Sequence, residues 1–221
     1  MATFVFFHVG PDLEWPDRMV ASIHAHNPGA EVIQVTDHDT PTAEGVTWTA
    51  PTLGDPRYLM QWRVDAFAAL GLDAPAIYMD TDMVVHKPLQ PDMMLGWADI
   101  AMTRRSFNKE ASFNVRQRGQ DYSEHEGKTL DQVYPFIGCM TVTPNSGAWE
   151  DLSEMFQALP DKYRVWYGDQ EVLREYAKRK RVAHLAEHVY ACLPEFLPEH
   201  PHPLVVHYKG QRKRLIANAP A

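Results

Sequence analysis

The sequence predicts an α/β fold, a single domain with a mostly parallel central sheet flanked by helices. Three observations carry that expectation. The chain opens strand–helix–strand, the order that a helical crossover between parallel strands produces. A second helical segment then leads straight into another apolar strand. Finally, 221 residues with 45% hydrophobic and 23% charged side chains suit one α/β domain with ample material for a core.

Taken in order, residues 3–8 form an apolar strand that ends in the loop Val9-Gly10-Pro11-Asp12. Glu14–His26 sets Trp15, Met19, Val20 and Ile23 at helical spacing and stops at Asn27-Pro28-Gly29, a strong terminator. Glu31–Thr36 is the second strand. Residues 57–70 are helical through Leu59, Trp62, Phe67 and Leu70, with Gly71 closing the helix. Ala76–Met79 is a strand, 83–86 a short extended continuation, and 99–103 a further strand.

From 104 to 130 hydrophobic periodicity lapses. Residues 104–118 carry five basic side chains against Glu110, a local net of +4 within an acidic chain. A long structureless insertion in a compact domain is commonly functional, so 104–130 is read as a flexible flap or acceptor loop, with a solvated excursion as the alternative. Regular structure resumes with the strand 134–142, whose Gly138 marks a bulge or a place where another group approaches the backbone. Helices follow at 147–159 and 169–179, the second with Gly168-Asp169 as its N-terminal cap. A last strand at 204–208 runs into Lys209-Gly210-Gln211-Arg212-Lys213-Arg214.

Twenty-one basic against 29 acidic residues leave a net charge of −8, which disfavours general attraction to nucleic acid or an anionic membrane. No apolar run reaches the roughly 18 residues of a membrane span, and the N-terminus lacks the basic start and small-residue cleavage site of a signal peptide. The two cysteines, Cys139 and Cys192, lie in apolar segments. A reduced, cytoplasmic protein is the expectation.

The chemistry concentrates at Tyr78-Met79-Asp80-Thr81-Asp82. Residues two apart on a strand share a face, so Asp80 and Asp82 should project together. Two neighbouring carboxylates repel unless one is protonated or a cation lies between them, and a hard divalent ion with oxygen ligands also grips phosphate. A solvated turn with two aspartates is the plainer alternative. His207, at the tip of the last strand, would add an imidazole, a donor set suited to Mn²⁺ or a similar ion. Lys209, Arg212, Lys213 and Arg214 beyond it could neutralise a diphosphate, with Gly210 permitting close backbone approach.

These pieces, in this order, resemble the glycosyltransferase-A fold, a Rossmann-like nucleotide-diphospho-sugar transferase, and most closely its family 8 type, which includes glycogenins and bacterial lipopolysaccharide galactosyltransferases. The matching segments are Tyr78-Met79-Asp80-Thr81-Asp82, Phe136-Ile137-Gly138-Cys139-Met140, Asp169-Gln170 and His207-Tyr208-Lys209-Gly210-Gln211-Arg212-Lys213. The resemblance implies a Mn²⁺-dependent (or Mg²⁺-dependent) transfer from a nucleotide-diphosphate sugar, a UDP-sugar by expectation, with retention at the anomeric carbon. It assigns Asp80, Asp82 and His207 to the metal, Asp80 and Thr81 to the metal-bound donor, and Gly210 and Lys213 to the diphosphate. It sets Arg63 and Gly138 at the donor, His8 and Val9 at the base, and Asp169 and Gln170 at the donor sugar as the catalytic pair. The chain departs from the family in having Phe136-Ile137-Gly138 where Asn-Ala-Gly or Asn-Ser-Gly is usual, Lys213-Arg214-Leu215 where Lys-Pro-Trp is usual, and no Thr-Asn-Asp type of base-binding loop.

Rival readings are a nucleotide-sugar binder or nucleotidyltransferase on the same scaffold, a phosphohydrolase, and a nucleic-acid-modifying transferase. The loop after the first strand has only Gly10 and no cation before Arg18, which disfavours a nucleotidyltransferase. The acceptor stays open among a glycan, a lipid-linked sugar, a protein and modified nucleic acid.

Overall fold

Residues 2–218 are described by the computed structural model. Helix α1 (Glu14–His26) carries the chain from strand β1 (Thr3–Phe7) to β2 (Glu31–Thr36), and β3 (Trp48–Pro51) follows. Helix α2 (Leu59–Ala68) leads into β4 (Ala76–Met79), and β5 (Met83–Val85) comes directly after the aspartate pair. Next come α3 (Pro91–Leu95), β6 (Ile100–Arg104), a hairpin of β7 (Arg116–Gln117) and β8 (Gln120–Asp121), α4 (Leu130–Val133) and the long β9 (Phe136–Thr143). Helices α5 (Gly147–Gln157), α6 (Asp161–Val165) and α7 (Gly168–Ala177) precede β10 (Val182–Ala186), α8 (Glu187–Tyr190) and β11 (Val205–His207).

The central sheet has seven strands in the order β10-β6-β9-β4-β1-β2-β3. All its pairings are parallel except the two made by β9, which runs antiparallel to β4 and β6. The expected mixed α/β architecture with a mostly parallel sheet is therefore present. Strand alternation divides the core into two layers. Phe4, Phe6, Ile77 and Met79 pack on one face with Met19, Val20 and Ile23 of α1. Val5, Ala76 and Tyr78 pack on the other with Trp62, Val64 and Phe67 of α2, Trp149 of α5 and Leu173 of α7. Burial on both faces explains why these strands read as continuous apolar runs.

Three features differ from the sequence expectation. Strands β3 and β10, at the sheet edges, are additional to the strands it predicts. The segment after β6 is not structureless: it folds around Phe113, Tyr122, Val133 and Tyr134, which pack with Tyr163 of α6. Gly168 and Asp169 lie inside the first turn of α7, and the cap position belongs to Tyr167, in a left-handed conformation with no side-chain cap bond. Both cysteines are free and buried. No helix among the described residues is long and apolar enough to cross a membrane.

Candidate active site

Phe7 at the end of β1, Asp80 just past β4 and Ile137-Gly138-Cys139 of β9 open onto one cavity of about 740 Å³. It lies where the carboxyl ends of the parallel strands meet, the usual ligand position in open α/β sheets.

The aspartate pair occupies the turn between β4 and β5. The Asp80 N–H donates to the Cys139 carbonyl at 2.9 Å, which extends the β4–β9 pairing to the first carboxylate. Strand β5 leaves the main sheet and pairs antiparallel with β11, setting His207 opposite Met83. The Tyr208 N–H donates to the Asp82 carbonyl at 2.8 Å. Two short strands thus bring a mid-chain turn and the end of the last strand side by side. Donor atoms of Asp80, Asp82 and His207 all lie within 4.8 Å of one another.

His207 Nε2 lies 3.2 Å from Asp82 Oδ1, and Lys213 Nζ lies 3.1 Å from Asp82 Oδ2. Burial opposes ionisation of Asp82, but His207 and Lys213 outweigh it and hold the carboxyl below its ordinary range. Burial likewise opposes the imidazolium of His207, yet the nearby Cys139 and the Asp82 carboxylate carry it up to about 10. Asp80 moves the other way: burial raises its carboxyl against the pull of Arg63. Strong electrostatic perturbation of adjacent groups in a cavity is the pattern expected of a functional site. Two carboxylates and an imidazole whose Nδ1 is buried without a partner form a donor set that fits a divalent ion of the Mn²⁺ kind.

Arg63 of α2 ties the two halves of the site together. Its Nη1 donates to Asp80 Oδ1 at 2.8 Å, and its Nη2 donates to Asp169 Oδ2. Asp169, on the first turn of α7, is buried and packs against Gly138, where the β6–β9 register shifts. Next to it, Gln170 accepts at Oε1 from Arg105 Nη2 at 3.0 Å, while Arg105 Nε is fixed on the Tyr134 carbonyl at 2.9 Å. Thr81, Gly138, Asp169, Gln170, Gly210 and Lys213 all line the cavity. Gly210 opens the terminal 3-10 turn at φ 67°, a conformation that suits glycine. Phe7 lines the cavity, whereas His8 and Val9 do not.

Sequence reasoning passes over Arg118, Trp166 and Tyr167, which line the same cavity. The basic character of 104–118 is the only signal for the first. The aromatic pair carries none beyond its place directly before Gly168.

No protein-family model matches this chain, and no curated protein matches its sequence. Its fold is similar to that of several solved glycosyltransferases. Glycosyltransferase GlyE of Streptococcus pneumoniae superposes with a TM-score of 0.62 at 16% identity, over 95% of this chain and 55% of that one. Galactosyltransferase LgtC, solved with donor and acceptor sugar analogues, gives 0.61 at 17% identity over 98% and 95%. The bifunctional glycosyltransferase WbbM gives 0.60 at 16% identity over 95% and 46%. This chain thus spans about half the length of GlyE and WbbM, and nearly all of LgtC. The likeness establishes the glycosyltransferase-A fold, and LgtC is of family 8, the type the motifs resemble.

Proposed function

We propose that this protein transfers a sugar from a nucleotide-diphosphate sugar, a UDP-sugar, to an acceptor hydroxyl with retention at the anomeric carbon. Asp80, Asp82 and His207 would hold Mn²⁺ or Mg²⁺. The convergence of those three side chains, beside Asp169 and Gln170 in one cavity, carries the reading. Glycosyltransferases among the similar structures support it.

When bound, the ion supplies positive charge where the leaving nucleotide diphosphate develops negative charge. Lys209 and Lys213, on either side of Gly210, add cationic donors to the same phosphates. Arg63 fixes Asp80 on the donor side and Asp169 on the sugar side. Because Asp169 is held in that ion pair and packed on Gly138, it orients the donor sugar as a hydrogen-bond acceptor rather than attacking it. Gln170, oriented by Arg105, offers its amide to the sugar or acceptor. The acceptor hydroxyl attacks from the face the phosphate leaves, and its proton passes to the departing phosphate oxygen. We also place the protein in the cytoplasm, where nucleotide sugars are made.

A thermal-shift panel of UDP-, GDP- and ADP-sugars with and without Mn²⁺ tests this. Ligand at a hundredfold excess over its Kd stabilises the native state by about 2.7 kcal/mol. The shift should require both nucleotide and metal. No shift with any nucleotide diphosphate would leave the fold alone standing.

A further inference from the structure

Trp166 and Tyr167 immediately precede Gly168-Asp169-Gln170, and both face the cavity together with Arg118. The guanidinium carbon of Arg118 stands 4.7 Å from the centre of a Trp166 ring, within cation–π range. That contact uses the charge of the guanidinium and none of its N–H donors. Among the described residues the Arg118 side chain makes no ion pair, although its hairpin neighbour Arg116 pairs with Asp121 at 2.6 Å. The other cavity cations each have a carboxylate partner, the most distant being Glu187, 3.9 Å from Lys209. Arg63 holds Asp80 and Asp169, Arg212 holds Glu195, and Lys213 holds Asp82.

The backbone here is under strain. Arg118 and Gly119 are the central residues of the β7–β8 turn, at φ 52° and 75°. A two-residue hairpin turn with both φ positive favours Asn or Asp in the first place, not a long side chain. Tyr167 is also left-handed, at φ 63°. Of the three non-glycine residues with positive φ among the described residues, two therefore belong to this corner. Such conformations persist where the surroundings over-determine them, and they gather at ligand clamps. The fully buried Tyr122 supplies the constraint: its hydroxyl lies 2.9 Å from the Lys162 carbonyl and 3.0 Å from that of Trp166. Lys162 Nζ in turn donates to the Asp121 carbonyl at 3.1 Å.

We propose that Arg118, positioned over Trp166, is the acceptor-specificity residue of this site and selects a sugar bearing a carboxylate or phosphate. The assignment rests on the sugar-transfer reading above. The donor diphosphate has its own cations in Lys209, Lys213 and the ion, so the fork of Arg118 is surplus to it. Arg118 shares its part of the cavity lining with Trp166 and Tyr167, which directly precede Gly168 and the Asp169–Gln170 pair that the sugar-transfer reading sets at the donor sugar, and the acceptor is assigned to that side. Flat aromatic walls suit the apolar faces of sugar rings, and a guanidinium fork matches carboxylate or phosphate geometry.

The test uses the whole protein and matched probes: methyl glucuronide against methyl glucoside, methyl galacturonide against methyl galactoside, and glucose 6-phosphate against glucose. Their affinities are read by ligand-observed NMR, with and without UDP and Mn²⁺. At least one anionic probe should bind about tenfold more tightly than its neutral partner, as a charge-assisted bidentate contact predicts. Arg118→Gln should erase that advantage and leave UDP affinity, read by calorimetry, within about twofold of wild type. Arg118→Lys, which keeps the charge but not the fork, should fall between them. Absent or equal binding within every pair, or an advantage that survives Arg118→Gln, would overturn the proposal. So would a loss of UDP affinity in Arg118→Gln, which would return the residue to the donor. If UDP fails to bind the wild type, the sugar-transfer reading fails, while the anion preference is still decided by the measurements made without UDP.

Discussion

A Cβ placed on Gly138 would lie 2.6 Å from Asp169 Oδ2 and 3.3 Å from Arg63 Nη2. The carboxylate that faces the cavity therefore rests on bare backbone, at the one glycine in β9. Gly138→Ala should keep the fold, lose about 1–3 kcal/mol of stability to overpacking, and push Asp169 off its site. Misplacement of this order costs turnover about 100-fold. Denaturant melts beside steady-state kinetics check both parts, and unaltered turnover would remove Asp169 from the reaction.

That glycine is legible in the sequence as a place of close approach, because an isolated strand glycine has few other uses. Strands β1, β2 and β4 are legible for a different reason: burial on both faces writes them as apolar runs. The aspartate pair and His207 stand out because each follows such a run. Strand β3 does not, since Trp48–Pro51 lies largely exposed at the sheet edge. Strand β10 holds the exposed His184 and follows the basic run Lys178-Arg179-Lys180-Arg181, which hides its edge pairing with β6. The small core of Phe113, Tyr122, Val133, Tyr134 and Tyr163 has no sequence period, so it shows only when α6 is brought against the hairpin. Arg118 and Trp166 escape the sequence pattern for that same reason.

Metal binding should depend on pH with a definite sign. Without an ion, His207 sits at about 10, well above the ordinary 6.5, because the nearby Cys139 and the Asp82 carboxylate favour its proton despite burial. An ion must displace that proton, so affinity should rise about tenfold per pH unit from neutrality and level off near 10. The raised carboxyl of Asp80 adds a second displaced proton at acid pH, steepening the dependence there. The folding consequence has the opposite direction. The His207–Asp82 pair stabilises the metal-free protein most between the ordinary carboxylate range and about 6.5; the His207 part fades as pH rises through 10, and the Asp82 part fades as pH falls toward 2. Calorimetry with Mn²⁺ in buffers of different ionisation heat measures the released proton. Affinity independent of pH, or undiminished in Asp82→Ala, would remove these residues from the metal.

Glu187 anchors the root of the insertion. It is 1% exposed and accepts the backbone N–H of Ser106 at 2.6 Å and of Phe107 at 2.7 Å. Glu187→Ala leaves these donors without their acceptor, at a cost of about 1–3 kcal/mol per buried group. Glu187→Gln keeps a carbonyl in the same place and should lose about 1 kcal/mol or less. Urea melts of the two variants decide the matter. Equal losses would mean that the charge facing Lys209, 3.9 Å away, carries the stabilisation instead of the backbone contacts.

Lys213 makes a prediction whose two halves run in opposite directions. Its ammonium lies 3.1 Å from Asp82 Oδ2 and 4.3 Å from the centre of a Trp15 ring, so without ligands it neutralises a carboxylate that an ion would need. A cation that must be released competes with the metal. Lys213→Ala should therefore bind Mn²⁺ alone more tightly than wild type, by roughly fivefold if the partly exposed pair contributes about 1 kcal/mol. If Lys213 serves the donor diphosphate as proposed, the same change should weaken UDP in the presence of Mn²⁺ by about tenfold or more. Trp15 fluorescence reports the departure of the ammonium from the ring, and calorimetry gives the two affinities. Loss of both together would indicate that Lys213 organises the metal ligands instead of standing in for the ion, and a gain in both would exclude it from the phosphates.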